Sequence, residues 1–432
     1  MLFLTTTALF FAQYALLAAA LPPTRRQATA PAQYTANPKI GGGGSTFRES
    51  AHFRVYNTTS LSIADSTLKF LEAAHQCFVE ELGWRTPGLS IKTGGVGKEV
   101  GPWYKLNVYA VPPSFMPGAA GQQGTDGNAG LAYLNVVHEY VGNAAVVVHE
   151  FGHAMHYSEE NWVNQGRTGA WWEPIANFIA DLYVATPTCE KAKSAAGLST
   201  NGNTDINLQK VIGDSYQVIV DGMGDTANYY QSWPFLSYIT NNPDNYSGLG
   251  KSILLDMIRK YKINSNDTPL HSLSNLLSGD VTIQKVVGRY WARMAFVDIG
   301  HAKAAAAFTA QRKNLKYANL DNNGNGKYTV KSARAPRYMG SNIIPLKTTA
   351  STVSVTITSS GTYTATFAVK GSSATRYVNL AGGTGSVTVA SGEEVMLVIA
   401  NTPALVQYDP FSISSDVNKG MSYSIQLTGA TA

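Results

Sequence analysis

The amino-acid sequence predicts an α+β protein, because three stretches of the chain show three different patterns. Up to about residue 185, short strand-like segments and segments with helical spacing share the chain. From residue 186 to about 335 the signals are mainly helical. After about residue 346, apolar residues alternate with Ser and Thr, which is typical of an all-β sandwich. The 432 residues suffice for two or three domains with hydrophobic cores.

The N-terminal end has the features of an export signal. Residues 1–20 are apolar and end in small residues, which predicts a secretory signal peptide. Residues 21–45 are a linker or a short pro-segment, and the pair Arg25-Arg26 is either a processing site or part of that linker. No later apolar run is long enough to span a bilayer. We therefore expect a secreted, extracellular protein without a membrane span.

Local patterns predict the elements of the first domain, residues 46–345. Strands are expected at Phe53–Tyr56, Leu106–Val111 and 131–136, and a long helix at about 63–82. The stretch 118–130 is rich in glycine and is predicted to be a loop.

The most informative motif is His149-Glu150-x-x-His153, inside a predicted helix at 143–157. Residues four apart on a helix have Cβ atoms about 5–6 Å apart, so both imidazoles can reach one zinc ion at about 2.0–2.1 Å. Glu150 lies beside the metal without being needed as a ligand and can accept a proton from water. The alternative is a helix with two partly buried histidines at chance spacing.

A candidate third ligand, Glu173, opens an apolar helical stretch downstream of His153. Two histidines and one carboxylate, with a fourth position left for water, make up a catalytic zinc site, whereas structural sites are usually closed and rich in Cys. The alternative is a carboxylate that only interacts with the helix dipole. His156 lies off the His149/His153 face and is predicted to be structural.

The pattern His149-Glu150-x-x-His153 followed by Glu173 resembles the gluzincin clan of zinc metallopeptidases, of which thermolysin-like proteases are the type. The resemblance is confined to this short part of the chain. It implies a zincin-like metallohydrolase fold for residues 46–345, with zinc bound by His149, His153 and Glu173. It also implies that Glu150 is the general base.

The resemblance raises further expectations about the site. The clan often has an Asp one turn after the third ligand to brace a zinc-bound His; this chain has Asn177 there, and Asp181 is the candidate substitute. Strand 131–136 could be a sheet edge that pairs with an extended peptide, although an ordinary core strand is the favoured interpretation. The oxyanion needs a hydrogen-bond donor. The candidates by residue type are Tyr157, Tyr229, Tyr230, Arg289 and His301.

Composition limits the partners. The formal net charge is +5 and only 14% of residues are charged, and no block of Lys or Arg stands out, so no nucleic-acid partner is expected. Cys77 and Cys189 form one disulfide or pack as two thiols, and two cysteines cannot build a Cys-rich zinc site. Sequons at Asn57, Asn245 and Asn266 are candidate glycosylation sites.

Period-two alternation, as at Val353, Val355 and Ile357, predicts a β-sandwich over residues 346–432. Before it, residues 321–326 match the start of a calcium-binding loop, but position twelve holds Ser332 in place of the closing carboxylate. A turn is the better interpretation.

The combined hypothesis is a secreted zinc-dependent hydrolase, in the first place a metallopeptidase that uses Zn²⁺ to cleave a peptide, protein or glycoprotein substrate. The alternative is a secreted carbohydrate- or surface-binding protein whose metal site is vestigial or structural. A third hypothesis keeps the zinc and assigns a glycoconjugate as substrate.

Overall fold

A computed structural model describes residues 29–93, 96–97, 99–162, 166–224, 226 and 228–432. The predicted signal peptide and the Arg25-Arg26 pair lie outside these residues. Within them the chain is mixed α+β and contains three five-stranded sheets. No helix in the described ranges is long and apolar enough to cross a membrane.

The first sheet carries the strands that position the candidate site. Its strands are β1 (Phe47–Glu49), β2 (Phe53–Tyr56), β3 (Leu106–Val111), β4 (Gly121–Asp126) and β5 (Leu131–Val137), in the order β1-β2-β3-β5-β4. β2, β3 and β5 are parallel, and the outer strands β1 and β4 are antiparallel to their neighbours. β5 is therefore an interior strand, which confirms the favoured interpretation.

The prediction of a loop at 118–130 is wrong at its centre, because β4 lies there. The glycines that suggested a loop allow close packing in this strand. A Cβ on Gly121 would lie 2.6 Å from Oε1 of Glu150, and a Cβ on Gly124 would lie 2.4 Å from the Tyr133 ring. Glycine can thus mark a strand that passes close to other side chains.

Two helices pack against the first sheet. α1 (Leu61–His75) begins after Ser60, whose Oγ accepts a hydrogen bond from the Ile63 N–H, and continues as a π-helical turn over Gln76–Glu81. α2 (Ala144–Ser158) follows β5. Phe151 of α2 meets Phe53 of β2 edge-on, with ring centroids 5.5 Å apart, inside the main hydrophobic core. This packing fixes α2 relative to the sheet.

The helical region follows α2 in the chain. Its helices are α3 (Trp172–Ala185), α4 (Glu190–Ala195), α5 (Trp233–Asn241), α6 (Ile253–Arg259), α7 (Pro269–Ser274), α8 (Ile283–Met294) and α9 (Ala302–Gln311). A disulfide joins Cys77, in the π-helical turn after α1, to Cys189, just before α4. Of the two alternatives for the cysteines, the disulfide is therefore the one that the structure shows. The two cysteines are 112 positions apart along the chain. Because the bond restricts the unfolded chain, it raises the free energy of unfolding by about 2–5 kcal/mol.

The C-terminal part contains two further sheets. Their strands are β6 (Leu320–Asn322), β7 (Lys327–Val330), β8 (Ser341–Thr348), β9 (Thr352–Ser359), β10 (Tyr363–Lys370), β11 (Thr375–Asn379), β12 (Thr384–Thr388), β13 (Glu394–Asn401), β14 (Tyr423–Thr428) and β15 (Ala430–Thr431), with a short α10 (Ser415–Asn418). The sheet orders are β11-β10-β13-β8-β15 and β12-β9-β14-β7-β6. Val355 of one sheet and Leu397 of the other belong to a shared core, as expected for two packed layers.

The two C-terminal sheets include strands that precede residue 346. Residues 321–326 end β6 and form its turn into β7, where the Lys327 N–H donates to the Gly324 carbonyl. The outer face of the first of these sheets also packs on the helical region, because Ala368 and Met396 belong to the main core with α8 residues. β10 and β13 are thus buried on both faces over most of their length, which explains the nearly continuous apolar sequence of β13.

Candidate metal centre

α2 and α3 hold the two parts of the predicted zinc motif against each other. α2 begins after Asn143, whose Oδ1 accepts a hydrogen bond from the Ala145 N–H at 2.9 Å. Gly152 lets the helices approach, since a Cβ there would lie 3.2 Å from the Ala176 Cα. Glu173 lies in the first turn of α3, as predicted. The short helix-to-helix distance brings its carboxylate to the histidines of α2.

His149, His153 and Glu173 meet at one point. The two Nε2 atoms are 3.1 Å apart, and they lie 3.2 Å and 3.4 Å from the Glu173 Oε2. Ligands held tetrahedrally at about 2.0–2.1 Å from a zinc ion are about 3.3–3.4 Å from each other. The Glu173 Oε2 is buried without a hydrogen-bond partner in the described part of the chain. The three side chains therefore fit a divalent metal ion, and their atoms qualify as a group that could hold one.

The electrostatics of the group favour an ionised Glu173. Burial raises the pKa of Glu173, but the contacts with His149 and His153 outweigh burial and hold it far below its usual range. Burial lowers the pKa of His149, and the neighbouring Glu173 and Glu150 carboxylates reverse this and raise it. A carboxylate ligand must be deprotonated to bind a metal, so the anionic Glu173 has the charge state that ligation requires.

Glu150 lies beside His149 on α2 and lines the adjacent cavity. It is only 5% exposed, and its Oε2 is buried without a hydrogen-bond partner among the described residues. Burial raises the pKa of Glu150, although the charges of His153 and His149 and a backbone hydrogen bond from Gln123 oppose the shift. A buried carboxylate with a free oxygen can accept a proton from a reacting water.

Asn177 lies where its side chain can hold the ring of His149 in place. Its Oδ1 accepts a hydrogen bond from Nδ1 of His149 at 2.8 Å, and its Nδ2 donates to the Tyr230 carbonyl at 2.6 Å. The bond at Nδ1 leaves the Nε2 lone pair of His149 facing the ligand point. Asp181 does not replace Asn177, because its Oδ2 pairs with Nε2 of His301 at 2.5 Å.

A cavity of about 490 Å³ opens beside His149 and Glu150. Of the five residues predicted as oxyanion donors, Tyr230 lines this cavity. Burial and the Glu173 charge raise its pKa, so its hydroxyl remains a donor. His301 is excluded as an oxyanion donor because both of its ring nitrogens have partners. Its Nε2 pairs with Asp181, and its Nδ1 accepts a hydrogen bond from the Ala304 N–H. Arg289 lies 3.8 Å from Asp244 in an ion pair.

A second group of possible ligands was not found by sequence reasoning. His52, His75 and Glu80 also bring three ligand atoms close together. They come from the stretch before β2, the end of α1 and the π-helical turn, with no spacing motif to signal them. The imidazoles of His52 and His75 are stacked, with centroids 3.8 Å apart and planes 9° apart.

Buried His156 confirms its predicted structural role. It lies on α2, 3% exposed, and its ring meets Trp162 edge-on at 6.1 Å. Burial, together with the nearby His153, lowers its pKa to about 3. A neutral imidazole in the core is therefore expected at physiological pH.

The fold and the site define a mixed α+β protein with a candidate His-His-Glu metal centre beside an open cavity. The chain belongs to the family described as a family of unknown function, DUF6055, whose model matches residues 56–432. A search of curated proteins finds no match.

Proposed function

We propose that this protein is a secreted zinc-dependent metallopeptidase with a zincin-like catalytic part of gluzincin type. The observation that carries the proposal is the convergence of His149 Nε2, His153 Nε2 and Glu173 Oε2 within 3.1–3.4 Å of one another, beside a buried carboxylate with a free oxygen. His149, His153 and Glu173 would hold the zinc. When bound, zinc supplies a Lewis acid that polarises the scissile carbonyl and lowers the pKa of water.

Protein side chains carry out the other steps of the reaction. Glu150 accepts the proton of the attacking water and passes it to the leaving amine. Asn177 fixes the tautomer and the orientation of His149 through the 2.8 Å bond to Nδ1. Tyr230 lines the cavity beside Glu150 and supplies a hydroxyl donor for the oxyanion.

The outer strand β4 supports a peptide as substrate. One side of β4 pairs with β5, and the described residues contribute no strand to its other side. Free backbone groups on a sheet edge can bind an extended chain by strand addition. The strand begins at Gly121, whose Cα lies beside the Glu150 carboxylate, so an added peptide would pass the general base.

The test is the Glu150→Gln variant, assayed with a fluorogenic peptide library and with metal analysis. We expect one zinc per chain and a fall in kcat of about 10²–10⁴-fold, since the base is lost and the ligands remain. Glu139→Gln is the matched control, because Glu139 is exposed and lies just before α2. Chelation by 1,10-phenanthroline should abolish activity, and added zinc should restore it. Full turnover by Glu150→Gln, or ligand binding without any chelator-sensitive cleavage, would overturn the proposal.

A further inference from the structure

The cavity beside Glu150 extends from the metal ligands along α3. Glu173, Asn177 and Asp181 follow one another at intervals of four residues, so they share one face of this helix. The eight residues from Glu173 to Asp181 span about 12 Å at about 1.5 Å per residue. The cavity volume of about 490 Å³ lies within the range of ligand pockets. The cavity therefore leads from the site of bond cleavage toward Asp181, about 12 Å along α3 from Glu173.

Carboxylates outnumber the basic side chains, of which His149 is one, in the lining that the described residues form. Glu150, Asp181 and Asp205 line the cavity, and among the described residues no Lys or Arg does. This contrasts with the whole chain, whose formal net charge is +5. In a cleft with walls of low dielectric constant, carboxylates of one sign attract a cationic ligand more strongly than they would on an open surface.

The two aspartates at the far end have different roles. Asp181 is buried, and its carboxylate accepts hydrogen bonds from the Thr204 hydroxyl at 2.7 Å and the Asp205 N–H at 3.2 Å, in addition to its pair with His301. These bonds fix the loop that carries Asp205. The Asp205 side chain is exposed, and no ion pair or hydrogen bond within the described ranges involves its carboxylate. Asp181 thus positions Asp205, which can pair with a ligand.

Two further observations indicate a ligand in this cavity. The nearly buried Glu150 belongs to its lining, and the Oε2 of this residue has no hydrogen-bond partner within the described ranges. The lining also includes the small apolar side chains of Val146, Ala180 and Val184. An apolar wall together with a carboxylate suits a long side chain with a methylene stem and a cationic head.

We propose that this cavity is the specificity pocket for a Lys or Arg side chain next to the scissile bond, with Asp205 as the residue that pairs with the cation. The proposal rests on the proposed peptidase function and names its substrate class.

The test compares matched peptides that differ only at one position next to the scissile bond, with Lys, Met or Glu there. For the full chain with zinc, we expect kcat/KM for the Lys peptide to exceed that for the Met peptide by about 10-fold to 100-fold, as for hydrogen bonds to charged groups. Asp205→Asn should collapse this ratio toward one, Asp205→Glu should largely keep it, and Asp205→Lys should favour the Glu peptide. The matched control Asp416→Asn, at an exposed Asp of α10, should keep the wild-type ratio.

The outcomes separate this proposal from the one on which it rests. Zinc-dependent cleavage with the same Lys-to-Met ratio in wild type and Asp205→Asn overturns the pocket assignment and leaves the peptidase function standing. Cleavage of none of the peptides, nor of the library, by the zinc-loaded wild type overturns the peptidase function and the pocket with it.

Discussion

The two His-His-Glu groups of this chain have the same composition and different geometries. In the first, the planes of His149 and His153 are 87° apart and their Nε2 atoms approach to 3.1 Å. In the second, the rings of His52 and His75 are stacked 3.8 Å apart with planes at 9°. Because a nitrogen lone pair lies in the plane of its ring, two stacked parallel rings cannot both point at one ion.

The surroundings of the two groups differ as well. The first borders a cavity of about 490 Å³ and includes Glu150 at its wall. In the second, His75 is 3% exposed and neither ring nitrogen has a hydrogen-bond partner among the described residues, while Nδ1 of His52 pairs with Glu72 at 2.7 Å. Ligand type and proximity therefore do not suffice to define a metal site, because lone-pair direction and access are needed as well.

The largest effect that would sharpen this comparison is the loss of one ligand from each group. His153→Ala removes a ligand of the first group, so zinc content should fall from one ion per chain to a small fraction after dialysis against a chelator. His52→Ala, the matched change in the second group, should retain one zinc. Metal analysis of the folded variants measures both. The reverse outcome, with zinc lost in His52→Ala and kept in His153→Ala, would assign the metal to the stacked rings.

A smaller effect is expected from the residue that orients His149. Asn177→Ala removes the acceptor at Nδ1 and should weaken zinc affinity by about 10-fold to 100-fold, as for other partners of metal ligands. Asn177→Asp keeps an acceptor and should bind zinc at least as tightly as wild type. Competition with a fluorescent chelator gives the affinities, and Asn201→Ala, at an exposed Asn outside the cavity, is the control. Equal affinities for Asn177→Ala and Asn201→Ala would contradict the bracing role.

The last effect concerns the second group and the pH dependence of stability. Burial, assisted by the charge of His52, lowers the pKa of His75 to about 3, against about 6.5 in an unfolded chain. Between these values the unfolded state binds the extra proton, so the free energy of unfolding falls as pH falls from about 6.5 to 3. The slope from one group is at most about 1.4 kcal/mol per pH unit.

His75→Phe removes this titration and should flatten the fall in stability between pH 6.5 and 4, as measured by urea unfolding at several pH values. His156, whose pKa burial also lowers to about 3, remains in the variant and should preserve part of the slope. A variant with the full wild-type slope would show that His75 is not kept neutral by the fold.

The sequence predicts the convergence of His149, His153 and Glu173 better than it predicts the surroundings of that group, for a physical reason. His149 and His153 converge through the period of one helix, and Glu173 opens the next helix of the predicted series. β4 has a loop-like sequence because its glycines serve close packing, Gly121 against Glu150 and Gly124 against Tyr133. The Asp181–His301 pair joins residues 120 positions apart, and such tertiary contacts have no local signal.

In the C-terminal part, too, local patterns predict some strands and miss features that depend on distant partners. The alternation around Val353, Val355 and Ile357 predicted β9, where one face is buried and the other is not. β8 contains Pro345 and is covered over most of its length, so period-two alternation is weak there. The boundary predicted at residue 346 leaves β6 and β7 out of the C-terminal sheets. This is because β7 pairs with β14, about 100 residues away along the chain, and β6, within the described residues, pairs only with β7.

The most direct test of the metal centre is a crystal structure of the zinc-loaded chain, with anomalous data collected at the zinc absorption edge. We expect one strong peak at about 2.0–2.1 Å from His149 Nε2, His153 Nε2 and a Glu173 oxygen, with the remaining position open toward Glu150 and the cavity. A peak between His52 and His75, a fourth protein side chain in the open position, or no peak at any zinc concentration tested would contradict this expectation.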